Sequence, residues 1–372
     1  MMETKKTALV NGRIFNGDTI FLDHALVMQG DRIHGIFPEY ALPENVDRVD
    51  VHQANVCAGL IDLQIYGTGK DLFSADLTVE CIRRIEKSLL AQGCTSFMLT
   101  LATNTLSIFK AGIRAFQEAQ PRASLGLHLE GPFLNPAKRG AHPAELILNP
   151  TPDHIYDLFS EDSGTVKMMT VAPEIMDDVC IRLLLERGIL LSAGHSAASF
   201  HQGVQGFSKG IRAATHLWNA MSPLHHRDTG LPGAIFADHN VAVSIIVDGI
   251  HVDYEAVKFS KRMLGRRLFL ITDAVGACDN GIYQHVFKED HYVLPDGTLS
   301  GSALTLLQAI ENSVTKVGIP LDEAIRMATL YPAQVIGRTD IGHLGRDAVA
   351  NVLVFDEDFQ VKTVYFEGQQ VV

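Results

Sequence analysis

The sequence has no apolar run approaching the roughly 20 residues of a membrane-spanning helix. Its opening stretch, MMETKKTALVNGRIF, lacks the apolar core and small-residue cleavage site of a secretory leader. No CxxC pair occurs. The five cysteines, Cys57, Cys81, Cys94, Cys180 and Cys278, are odd in number and scattered, which suits small apolar residues in a reducing compartment rather than a disulfide framework. Basic residues are in deficit, 31 against 43 acids for a formal net charge of −12, which argues against nucleic acid or an anionic membrane as the main partner. No GxGxxG or GxxxxGK turn follows a strand-like run, so nucleotide binding has no anchor. The cytoplasm is the expected location.

What is present is a chain of 372 residues, 47% hydrophobic, enough for one large barrel or two domains. Residues 7–37 alternate like short antiparallel strands, with Gly30-Asp31 as a hairpin signal. The same idiom returns at 348–359 and 361–372, so both termini are expected to share one small β-sandwich domain (1–55 and 341–372) around a larger insert (56–340). Within the insert, apolar strand-like runs lie at 56–65, 95–100, 124–130, 165–172, 189–195, 213–218, 241–247 and 268–273. Between them the spacing turns helical, as in Cys81, Ile85 and Leu89, or Leu106, Phe109, Ile113 and Phe116. Leu307, Ile310, Val314 and Val317 repeat that rhythm after the eighth run. Eight apolar strands alternating with amphipathic helices predict an α/β fold, a (β/α)8 TIM-type barrel, with an open doubly wound sheet as the competing architecture.

Catalytic residues of such barrels sit at the C-terminal ends of the strands. Those ends carry Gln64 and Tyr66, Glu130, His195, His216 and Asp273, and the seventh strand runs into Asp248-Gly249-Ile250-His251. A carboxylate and two imidazoles suit a divalent metal, zinc first, with a position left for water. A single such histidine is more often structural; three metal-type ligands at three strand ends, with an acid at a fourth, favour a site. Asp273 can serve as general base and then acid, or else orient a histidine or cap the next loop. His142 can polarise a carbonyl or be a solvated loop histidine. His225, His226 and Arg227 form a basic knot suited to phosphate or carboxylate, or a solvated turn.

The segments AGLIDLQIYG, LHLEGPFLNPAKRGAHP, SAGHSAA, THLWNAMSPLHHRDTGLPGA, IVDGIHV and LITDAVGA, in this order, resemble the N-acetylglucosamine-6-phosphate deacetylases of the amidohydrolase superfamily. The resemblance spans almost the whole chain. It implies one metal held by Glu130, His195 and His216, with Asp273 as catalytic acid/base and His142 at the acetyl carbonyl. It further implies that Asn219, Ala220, Arg227 and His251 bind the sugar phosphate, that Leu306, Leu307 and Gln308 contact substrate, and that the protein is a homodimer whose partner subunit can supply phosphate contacts. Zinc is the first expectation for the metal, and ferrous iron also fits the ligands.

Many amidohydrolases carry His-x-His at the end of the first strand for a second metal, and a branch of this family has Gln-x-Asn. Here the place is held by Gln64-x-Tyr66, which predicts a single metal. The activity implied is hydrolysis of the acetamide of N-acetylglucosamine 6-phosphate. The alternatives are the epimeric N-acetylgalactosamine 6-phosphate as substrate, or a catalytically silent scaffold on the same fold.

Overall fold

The structure is a computed structural model and describes residues 6–372; residues 1–5, part of the stretch read for a leader, lie outside the described residues. By compactness the chain divides into two units, residues 1–62, 87–96 and 305–372 in one and residues 63–86 and 97–304 in the other.

The first unit contains two sheets. A four-stranded sheet pairs Lys6–Val10 with His24–Gln29 and Asp47–Asp50, and His24–Gln29 with Arg32–Pro38 across the Gly30-Asp31 hairpin. A six-stranded sheet joins the two ends of the chain, because Val352–Phe355 lies antiparallel to Asn55–Ala58 with Val354 opposite Val56. Between the sheets, Leu26, Met28 and Ile33 pack with Val56, Val352 and Val354 in one apolar cluster. The alternation seen in the sequence is thus the alternation of a sandwich, one side of each strand in the shared core. The helix predicted after the eighth barrel strand is Leu306–Asn312, continued by a wider turn through Ser313–Val317 and stopped at Gly318, whose φ of 81° is left-handed.

Residues 60–270 are organised by an eight-stranded parallel sheet. Its strands are Leu60–Ile65, Cys94–Ala102, Ser124–Glu130, Val166–Val171, Leu190–Ala193, Ala213–Ala214, Ala242–Ile245 and Leu268–Leu270, in sequential order. The apolar run at 56–65 is therefore two strands, split at Gly59. A Cβ there would lie 2.0 Å from Thr95 Oγ1. The sheet curls back on itself beyond its last paired residues, where Asp273 N donates to Gln64 O at 3.0 Å and Tyr66 N to Ala274 O at 2.9 Å. This is the expected barrel, and it brings the ends of the eighth and first strands together.

The strands are buried along almost their whole length, so polar groups inside must find partners within the barrel. His128 is fully buried, with Nδ1 3.1 Å from Leu63 O and Nε2 2.8 Å from Thr170 Oγ1. The carbonyl can only accept, so Nδ1 carries the proton and Nε2 accepts from the threonine. Burial pushes this imidazole's pKa down to about 4. An unfolded chain takes up a proton near pH 6.5 that the folded chain refuses until about pH 4. Stability contributed by neutral His128 is therefore complete above pH 6.5 and is lost as pH falls toward 4, on the order of 3 kcal/mol at about 1.4 kcal/mol per unit. Urea unfolding of chelator-treated protein at pH 7 and pH 4.5 should show this loss in the native chain and a smaller one in His128→Asn. Equal pH dependence in both would remove His128 from the acid response.

Candidate metal centre and active site

Three backbone turns aim the site. His195, His216 and Asp273 all leave their strands with left-handed φ values of 46°, 35° and 54°. Non-glycine residues rarely adopt this region, at a cost of about 1–3 kcal/mol each, and they cluster where a structure requires one side-chain direction. Glu130 ends its strand differently, followed by Gly131 at φ 88°, where a Cβ would lie 2.1 Å from Thr103 Oγ1. That hydroxyl donates to Glu130 O at 2.9 Å, so the glycine lets Thr103 hold the strand end.

Glu130, His195 and His216 meet in a buried cluster. Glu130 Oε1 lies 3.2 Å from His195 Nε2 and 3.0 Å from His216 Nε2, and the two imidazole nitrogens are 3.2 Å apart. His195 Nδ1 is 3.0 Å from Lys138 O, which can only accept, so the His195 proton sits on Nδ1 and its Nε2 presents a lone pair. A carboxylate oxygen and an unprotonated imidazole nitrogen facing one another repel unless a cation lies between them. The same three groups offer ligand atoms within 4.8 Å of one another, all buried. Their chemistry, one carboxylate and two imidazoles with one ring oriented by a carbonyl, fits a divalent metal. His216 Nδ1, by contrast, has no partner among the described residues.

The charges agree with this reading. Burial works against the ionised form of Glu130, but the imidazoles of His195, His142 and His216 around it hold its pKa well below the usual carboxylate range. Burial lowers His195, keeping it neutral against the attraction of Glu130. Asp273 behaves oppositely. Burial raises its pKa, with Glu130 adding to the rise and His216 opposing it. Two neighbouring carboxyls driven apart in this way suit different duties, one permanently ionised and one able to take and return a proton.

Gln64 links the two acids. Its Nε2 donates to Asp273 Oδ1 at 2.7 Å and lies 3.0 Å from Glu130 Oε1, while its Oε1 accepts from Thr215 Oγ1. An amide N–H group is therefore placed between the carboxylates at the end of the first strand. Tyr66 donates its hydroxyl to Glu130 Oε2. Its pKa stands well above the ordinary phenol value, first through burial and then through Glu130 and Asp273, so it remains a neutral donor.

The loop after the third strand folds back over the cluster. His142 is buried, and Thr103 N donates to its Nδ1 at 3.2 Å. That bond forces the proton onto Nε2, which points at Glu130 Oε2 from 3.1 Å. On the far side Glu174 braces the His195 turn, accepting from Asn135 Nδ2 at 2.8 Å, Ala197 N at 2.6 Å and Ser196 Oγ at 2.7 Å.

A cavity opens onto these groups, lined by Glu130, His142, His195, His216, Asn219, Ala220, His251 and Asp273 among others. Asn219 Nδ2 has no hydrogen-bond partner among the described residues. His251 is pinned at both nitrogens, Nδ1 2.5 Å from Asp248 Oδ2 and Nε2 2.8 Å from Ser300 O. Both partners are acceptors, so the ring is doubly protonated. Burial opposes that charge, yet the hydrogen bond and attraction of Asp248 raise the pKa. Trp218 donates Nε1 to Ser260 Oγ at 3.0 Å and packs on Phe236, forming the base of its loop.

Other predicted residues lie apart. Arg227 is exposed, with Nη1 3.1 Å from His226 Nε2, and neither it nor His225 lines the cavity. Leu306 and Leu307 are buried and Gln308 N is capped by Thr305 Oγ1; these residues begin a helix of the first unit and do not line the cavity. Residues 274–304 supply wall groups that the strand-end reading missed. They contain a three-stranded antiparallel sheet, Val286–Lys288, His291–Val293 and Leu299–Ser302, and contribute Tyr283, His285 and Ser300. The turn Pro295-Asp296-Gly297 within YVLPDGTLS was the available signal.

Fold and site together define a metal-dependent amidohydrolase barrel. Residues 55–371 match the amidohydrolase family and residues 7–56 the NagA composite domain, and the chain belongs to the amidohydrolase family. More particularly, it is similar to the N-acetylglucosamine-6-phosphate deacetylase of Haemophilus influenzae, 34% identical over 98% of this chain and 99% of that protein. The human protein of the same name is 31% identical over 97% of this chain and 94% of its own length. Among solved structures, that of N-acetylglucosamine-6-phosphate deacetylase from Pasteurella multocida has a TM-score of 0.93 and 33% identity, covering 98% of this chain and 99% of that one.

The geometry makes a direct prediction. A cation that binds the folded cluster alone stabilises the fold by mass action. Adding zinc to chelator-treated protein should raise its Tm by several degrees, and the rise should vanish in His195→Ala. An equal rise in that variant would place the bound ion elsewhere.

Proposed function

We propose that this protein hydrolyses the acetamide of N-acetylglucosamine 6-phosphate to glucosamine 6-phosphate and acetate, with one divalent cation, zinc first, held by Glu130, His195 and His216. The observation that carries the reading is the convergence of Glu130 Oε1 and two imidazole nitrogens beside a second, separately tuned carboxyl, Asp273. Similarity to the deacetylases named above supports the substrate class. A cation bound there supplies Lewis acidity toward the amide carbonyl and makes water acidic enough to attack near neutral pH.

The chain's own residues carry the proton and the geometry. Asp273, its carboxylate fixed by Gln64 Nε2 at 2.7 Å, accepts the proton of the attacking water and returns it to the departing amine nitrogen. Its burial-raised pKa serves the first step, since the anion of a weaker acid is a stronger base toward the attacking water, and the expelled amine is basic enough to take the proton back. His142 donates from Nε2 toward the carbonyl oxygen as negative charge develops, and Thr103 N guarantees that tautomer. Asn219, whose Nδ2 has no partner among the described residues, offers a donor to the sugar phosphate, and Ala220 lines the same wall.

His251 enters differently. Both of its ring N–H groups are committed to Asp248 and Ser300, so it acts on an anionic substrate through charge. Arg227 stands outside the cavity lining, and we assign its phosphate contact to the cavity of a second copy in a homodimer. We place Leu306, Leu307 and Gln308 as substrate contacts at the start of their helix, on the resemblance alone. No helix among the described residues is long and apolar enough to cross a membrane. The cytoplasm is the proposed location.

Asp273→Asn should keep its zinc while acetate release falls by at least about a thousandfold, the scale on which removal of an essential proton carrier acts. A variant with zinc content and turnover both near native would take Asp273 out of the chemistry. Because a relative in Shewanella is named N-acetylgalactosamine-6-phosphate deacetylase, at 32% identity, native kinetics should be run on both epimers. A higher kcat/KM for the galactosamine epimer would reassign the substrate.

A further inference from the structure

Tyr66 departs from both strand-one patterns described for the family, and its surroundings are specific. The ring packs with Leu72, Ala102, Val275, Tyr283 and Tyr292 in one buried cluster. Its hydroxyl donates to Glu130 Oε2 and lies 3.2 Å from Gln64 Nε2. His142 Nε2 approaches the same carboxylate oxygen from 3.1 Å. Oε2 thus faces Tyr66 and His142 alone, whereas Oε1 faces the two imidazole nitrogens at 3.2 and 3.0 Å, with Gln64 Nε2 beside it at 3.0 Å.

A carboxylate oxygen has about two in-plane acceptor directions. With both directions of Oε2 used, turning the carboxylate to present its two oxygens together would break the Tyr66 and His142 bonds in a buried site. We propose that Tyr66 is a positioning residue which ties Glu130 Oε2 away and leaves Oε1 as the sole carboxylate ligand of the cation. The inference rests on the reading of Glu130, His195 and His216 as a cation site. When substrate draws His142 toward its carbonyl, Tyr66 is the donor that still holds Oε2. The aromatic ring suits this duty because its own position is locked by the apolar cluster rather than by the carboxylate it restrains.

The test compares native protein, Tyr66→Phe and Tyr292→Phe, each of which loses at most one hydroxyl from the same cluster. Zinc affinity is measured by competition with a chromophoric chelator, and the cobalt-substituted proteins are compared by visible absorption. Tyr66→Phe should hold zinc about 10- to 100-fold more weakly and shift the cobalt bands, while Tyr292→Phe matches native protein. X-ray absorption of zinc in native protein should show one carboxylate oxygen, a readout that needs no variant to fold. Unchanged zinc affinity and cobalt spectrum in Tyr66→Phe, or a carboxylate bound through both oxygens in native protein, would overturn the proposal with the cation site intact. Native protein that binds no zinc would overturn the cation site itself.

Discussion

Two acceptors facing one another in a buried space, with a second imidazole nitrogen beside them, are the constraint on which the rest of the site depends. Glu130 Oε1, His195 Nε2 and His216 Nε2 stand 3.0 to 3.2 Å apart, and His195 has spent its proton on Lys138 O. A shared proton or a cation settles such a group. A proton on His216 is one solution, and Glu130 raises that imidazole's pKa despite its burial. A divalent cation is the other, so proton and metal compete for one gap and metal binding is linked to pH. The remaining contacts fix the direction of each acceptor: the Lys138 carbonyl turns His195, Tyr66 and His142 hold the far carboxylate oxygen, and Gln64 joins Glu130 to Asp273.

The barrel supplies this arrangement through its strand ends. Parallel strands place their C-terminal ends on one face, but an ordinary extended exit would carry the side chains away from the axis. The left-handed turns at His195, His216 and Asp273 bring them inward, and the backbone bonds of Asp273 and Tyr66 join the eighth strand end to the first. Conformational cost and barrel closure meet at Asp273. A more relaxed backbone there would be more stable and would aim the ligands elsewhere.

Much of this was legible in the sequence because it is local. Each barrel strand is a short apolar run, and the chemistry-bearing residue follows within a few positions, as His195 follows Leu190–Ala193 and Asp273 follows Leu268–Leu270. The lengths were less legible. The run at 213–218 pairs only at Ala213–Ala214, since His216 already belongs to the turn. Contacts between distant residues were not legible at all. Nothing local says that Lys138 O sets the His195 tautomer, that Thr103 N sets that of His142, or that Asp248 and Ser300 make His251 cationic. Tyr66 looked like a broken motif because its partner, Glu130, lies 64 positions away. Arg227 carried a basic signal in sequence, yet it stands exposed, and what its charge meets depends on more than this chain's own cavity.

The account turns on one cation shared by Glu130, His195 and His216 and used for amide hydrolysis. Its most direct test is a titration of metal-free protein with zinc, following acetate released from N-acetylglucosamine 6-phosphate. Activity should be absent at the start, rise in proportion to zinc, and level off at one ion per chain. Full acetate release without added cation, or none at any zinc content, would contradict it.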